Sequence, residues 1–164
     1  MTDDLLQSLG PPPFRFTPTR PGHASAAYTL PFKVLSTIMV LAGSLWLGRL
    51  WHDGALGSGG SSGLAWLLCG LVLMLYTGWH ILTSQTRLDE TALHQSWIWD
   101  KHLELRELAY GKLIRVPGLE WLIAPRLYVR TLMGKFAVFY ASDALLLADF
   151  ERLVRELAEF RRMD

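Results

Sequence analysis

Between residues 34 and 83 the chain carries only two formal charges, Arg49 and Asp53, and in all 164 residues it has one cysteine. A single cysteine excludes an internal disulfide and a cysteine-built metal centre, so Cys69, inside an apolar run, reads as a small packing residue. A net charge of +1 excludes bulk attraction to nucleic acid, and no nucleic-acid partner is expected. HExxH, a phosphate-cradling glycine loop and paired-cysteine spacings are missing. The run "GSGGSSG" at residues 57–63 precedes no lysine, follows no strand, and places no base beside its serines. The reading is therefore non-enzymatic, with no catalytic residue, cofactor or metal expected. The first residues do not read as a secretory signal, because Asp3 and Asp4 stand where a basic start and an apolar core are needed.

Apolar surface is what the chain has in excess: 51% hydrophobic residues, seven tryptophans and a mean hydropathy of +0.22. It is concentrated in two runs. The first, "KVLSTIMVLAGSLWLGRLW" at residues 33–51, has an uncharged stretch of 15 residues. That is short against the ~20 residues that cross a ~30 Å hydrocarbon core. Lys33 and Arg49 extend it by snorkelling, and Trp51 suits the interface. The second, "LAWLLCGLVLMLYTGWHILT" at residues 64–83, has 20 residues and no formal charge. Trp66 marks one end and Trp79 the other, and His80 beside Trp79 reads as an interfacial anchor. The remaining chain is too small to bury two such helices, so they are expected to span a membrane. The loop at residues 52–63 is too short to be a domain and is expected to turn the spans into an antiparallel hairpin. Ala42, Gly43, Ser44, Gly70 and Gly78 would let helices approach closely. The loop carries no Lys or Arg, whereas Arg15, Arg20 and Lys33 precede the spans and Arg87 follows them. That bias predicts both termini in the cytoplasm.

Residues 1–29 hold "PPPFRFTPTRPG", which forbids helix and favours extended polyproline structure. A flexible arm is expected there, with "PTRP" a loose PxxP docking pattern. Residues 84–164 change texture and are expected to form a separate domain. "TALHQSWIW" and "KHLELREL" alternate, with a turn at Asp100-Lys101 and with His94 and His102 able to face each other across it. "RLYVRTL" and "KFAVFY" make a second hairpin about Gly134. "DFERLVRELAEFRR" spaces Phe150, Leu153, Val154, Leu157 and Phe160 as one helical stripe, with Asp149 as the expected cap and Glu151–Arg155 as an i,i+4 pair. Strands followed by one helix predict an α+β fold. Lys112, Arg115, Arg126, Arg130 and Lys135 face one acid, Glu120, in the same stretch. A basic face beside a membrane would meet anionic lipid or a partner, at ~1 kcal/mol per cation.

A two-span hairpin, then "SQTRLDETALH", then strands and a terminal helix after "FYASDALLLADF", resembles small bacterial two-span membrane proteins with a C-terminal PH-like domain. The resemblance implies a split barrel of antiparallel strands capped by a helix, in the bacterial inner (cytoplasmic) membrane. It implies an accessory, assembly or scaffold protein that binds a protein partner, either a larger membrane protein or a second copy. An anionic-lipid headgroup binder or membrane sensor is the alternative, and a small subunit of a transport or energy-transducing complex is the third reading. Membrane lipids are partners on every reading.

Overall fold

A short strand, a long helical hairpin, six further strands and a closing helix follow one another along the chain. The computed structural model describes residues 13–54 and 61–163. Strand β1 (Ala24–Ala26) precedes helices α1 (Leu30–His52) and α2 (Ser61–Thr83). Strands β2 (Gln85–Leu88), β3 (Ala92–Gln95), β4 (Lys101–Glu104), β5 (Leu108–Ile114), β6 (Arg126–Thr131) and β7 (Phe136–Tyr140) lead to helix α3 (Ala144–Met163).

Helix α1 begins where Thr29 accepts a hydrogen bond from the Phe32 amide and Pro31 occupies its first turn, a position that needs no amide donor. It ends at Gly54, whose φ of 69° is the left-handed conformation that favours glycine. Both helices are long and apolar enough to cross a membrane, and almost none of their residues is fully buried within the chain. Helix α1 has 23 residues, longer than the 33–51 expected. At ~1.5 Å per residue that length is enough to cross a ~30 Å hydrocarbon core, with Lys33 and Arg49 each within a turn of its ends. The helices pack antiparallel through Gly78, whose missing Cβ leaves room for Val40, and through Gly43, which lies against Met74. Gly70 faces open space, so it takes no part in that contact. Thr37, Ser44, Thr77 and Thr83 each donate a hydroxyl to the carbonyl four residues earlier, which satisfies these groups inside their own helices. Residues 55–60 of the connecting loop lie outside the described residues.

The strands form two antiparallel sheets, β1-β2-β3-β4 and β5-β6-β7. Their inner faces and α3 share one core that includes Leu88, Leu93, Leu127, Val129, Phe139 and Phe150. Leu153 and Leu157 of α3 are buried and Val154 and Phe160 partly so, as the helical stripe predicts. Gly111 lets α3 settle on β5, since a Cβ there would meet Val154 at 3.3 Å and Leu157 at 3.7 Å. Gly134, with φ of 80°, turns β6 into β7. The free edge of β7 is met by side chains rather than a strand. The Thr86 hydroxyl donates to the Tyr140 carbonyl, Lys101 Nζ donates to the Val138 carbonyl, and Gln95 Oε1 accepts from the Tyr140 amide. Thr86 and Gln95 are buried polar residues because they close this seam.

Several expectations need correction. Over residues 13–29 the chain is not a flexible arm, and the folded domain does not begin at residue 84. Phe14, Phe16 and Pro18 alternate inward, and both phenylalanines are core residues. The prolines hold the segment extended, and extension with period-two burial is what a strap across a core requires. Each buried phenylalanine contributes about 1.5–3 kcal/mol. Phe14 packs on Phe160 of α3 at 5.5 Å, and the Arg152 guanidinium lies over the Phe16 ring at 4.8 Å. Strand β1 pairs with β2, Ala24 opposite Arg87 and Ala26 opposite Gln85. The helical hairpin is thus an insert between two adjacent strands of one sheet. Residues 1–12 of the expected arm lie outside the described residues. Helix α3 also starts earlier than expected. Asp143 caps it by accepting from the Leu146 amide, whereas Asp149 sits inside it and is buried. Glu151 pairs with Arg115 rather than Arg155.

Candidate functional site

The strands that carry the cations decide which of them act together. Leu127, Val129 and Thr131 of β6 point into the core, so alternation turns Arg126, Tyr128 and Arg130 outward. Register sets Tyr110 beside Arg130 and Lys112 beside Tyr128 on β5, and Phe136 beside Arg130 on β7. Lys112, Arg126 and Arg130 therefore share one face with Tyr110, Tyr128 and Phe136, and the Tyr128 and Phe136 rings stack at 6.4 Å. Lys135 stands at the adjoining turn. Arg115 does not belong to this face, because its guanidinium is bound to Glu151 on α3. Among the described residues, Lys112, Arg126, Arg130 and Lys135 make no ion pair. Exposed Leu132, Met133 and Phe136 extend the face at the β6–β7 turn.

At the other end of this sheet the domain meets the helices. Ser84 alone separates α2 from β2, and residues 27–29 join β1 to α1. Tyr28 packs against Phe32 of α1, Tyr140 of β7 and Trp97 of the β3–β4 loop, all at 5.4–5.6 Å. Trp97 continues to His80 of α2 at 6.2 Å, and His80 to Tyr76 at 4.6 Å. His80, expected as a lone interfacial anchor, is thus also a packing partner of the domain. Burial, with Tyr140 secondary, pushes the Tyr28 phenol up to about 12. Burial also lowers the Lys101 ammonium, which lies 5.9 Å from the Tyr140 ring. Lys33 Nζ donates to the Leu82 carbonyl at 3.0 Å, tying the start of α1 to the last turn of α2. Trp79 is exposed beside that end. Arg49 and Trp51 lie in the last turn of α1 and Trp66 near the start of α2, at the far end of the pair.

The remaining polar clusters offer less. His94 and His102 do face each other, with Nδ1 atoms 3.2 Å apart, and Asp89 lies 3.8 Å from His94 Nε2. No group of three His, Cys, Asp or Glu converges as a metal centre among the described residues. A cleft of about 400 Å³ beside His102 is lined by Arg15, Glu90, Glu104 and Arg106, and Arg106 is already paired with Glu104. The aromatic junction and the seam residues Thr86, Gln95 and Lys101 escape sequence reasoning, although the spacing of Phe14 and Phe16 about Arg15 was a signal for the strap. Comparison of the chain with family models, with curated proteins and with solved structures returns no match.

Proposed function

We propose that the chain is a non-enzymatic accessory or scaffold protein of the bacterial inner membrane, holding a PH-like domain on the cytoplasmic side for a protein partner. The carrying observation is the outer face of β5-β6-β7. It sets unpaired Lys112, Arg126 and Arg130 among exposed Tyr110 and Phe136, and aromatic residues with arginine are the residue types enriched at protein interfaces. Two sheets of four and three strands closed by one helix support the PH-like reading. Two apolar helices whose surfaces are left uncovered support the membrane reading. The cytoplasmic side is supported by Arg15, Arg20 and Arg87 at the domain end of a hairpin whose far loop has no Lys or Arg.

The test is purification of the full chain in mild detergent, wild type beside Arg130→Glu and Phe136→Asp. A stoichiometric protein retained by wild type and lost from both folded variants is the expected result. An unchanged set of co-purifying proteins overturns the partner face. Retention of anionic phospholipid that falls in the variants would instead favour the headgroup-binding alternative, which the same unpaired cations support.

A further inference from the structure

We propose that two loops of the domain form a collar immersed in the headgroup layer around the base of the helix pair. The inference rests on the membrane reading above. The loops are residues 96–100, between β3 and β4, and residues 117–124, between β5 and β6. Both are fixed at the level where the helices leave the domain. Thr29, which caps α1, donates its hydroxyl to the Leu122 carbonyl at 2.7 Å. Trp97 packs on Tyr28, beside that cap, and on His80 in the last turn of α2. With Ser84 alone between α2 and β2, the domain has no tether on which to rise from the membrane surface.

What the loops present is apolar and uncovered. Trp99 is 77% exposed, Trp121 62%, Leu119 41% and Ile123 36%. In water such a rim is a liability for a small domain. In the headgroup layer tryptophan is the preferred residue, because its ring sits in the apolar boundary while its N–H reaches a polar group. The loops carry two charges, Asp100 and Glu120, and Arg115 and Arg126 flank the second loop. The occupant is therefore the lipid interface, continuous with the surface that the spans already occupy, rather than a protein.

The experiment uses the full chain reconstituted in phosphatidylethanolamine–phosphatidylglycerol vesicles that contain a lipid spin-labelled near its headgroup. An environment-sensitive fluorophore is placed on native Cys69, exposed on α2, or, in a Cys69→Ala background, on Trp121→Cys, Trp99→Cys or Met133→Cys. Met133 is 83% exposed at the β6–β7 turn, at the opposite end of β6 from the second loop. The labels at 69, 99 and 121 are expected to be quenched by the lipid and shielded from aqueous iodide, and the label at 133 to behave oppositely. Lipid quenching at 69, with 99 and 121 indistinguishable from 133, overturns the collar and leaves the membrane reading standing. Shielding at 121 without lipid quenching also overturns it, in favour of a protein cover. Iodide access at 69 equal to that at 133 overturns the membrane reading, and the collar with it.

Discussion

Thr19 gives both its backbone amide (3.0 Å) and its hydroxyl (2.6 Å) to the two carboxylate oxygens of Asp149, 130 residues later in the chain. Asp149 is buried, and Arg152 completes its coordination while also donating to the Thr17 carbonyl at 2.6 Å. The proline-rich segment is thereby clamped to α3. Asp149→Asn is expected to cost about 1–3 kcal/mol, since it weakens the charge-assisted bonds of a buried carboxylate. Thermal unfolding in detergent measures the loss, and tryptic cleavage at Arg15 should accelerate. Thr19→Val combined with Asp149→Asn should cost less than the sum of the two, because the residues share one interaction.

Gly111→Val should lift α3 from β5. The added side chain has Val154 on one side and Val129 on the other, at 3.3 and 3.9 Å from its Cβ. Overpacking of this kind costs about 1–3 kcal/mol. A fall in unfolding temperature greater than that of Gly118→Val, at a turn with open space around it, would be unexpected if α3 were loosely held. Gly118 has φ of 81°, so the comparison pits packing against backbone strain.

The two glycines of α2 should respond differently to the same change. Gly78→Leu meets Val40 at 3.1 Å from its Cβ and forces the helices apart, whereas Gly70→Leu meets nothing within 4 Å. The first should lower thermal stability in detergent by about 1–3 kcal/mol and the second should leave it nearly unchanged. Equal effects would show that the packing of the pair is not centred on Gly78.

Tyr28 should titrate late. Its phenol is held up to about 12 by burial first and by Tyr140 second. A folded-state value above the unfolded value of 10.0 means that the associated stability is fully present below about pH 10 and is lost as pH rises toward 12. Phenolate absorbance followed against pH should show a late step that Tyr28→Phe removes. Lys101 has the opposite sign: burial lowers its value from 10.5, so its contribution to stability rises with pH across a window below 10.5.

How far the sequence could be read depended on whether a residue's partner was near or far in the chain. The apolar stripe of α3, the Gly134 turn and the facing of His94 and His102 are local patterns, and each appears in the structure. The extent of α1 was set by Thr29 and Gly54, which lie outside its apolar run. The strap and β1 were missed because prolines exclude helix without excluding burial, and because β1 has three residues, too few to show alternation. Of the five cations, four stayed on or beside one face. Arg115 left it because Glu151, distant in sequence, comes within reach only when α3 docks.

The insertion of the helices between β1 and β2 sets an order of events during synthesis. The strap and β1 emerge first but cannot close the sheet until both helices and β2 have been made. On the proposed membrane reading, a second helix that failed to return across the bilayer would strand β1 and β2 in different compartments, and Ala24 could never meet Arg87. Completion of the sheet is therefore a check on the integration of the hairpin: a chain with only one helix across is left with its core open, in the state that cellular proteases remove.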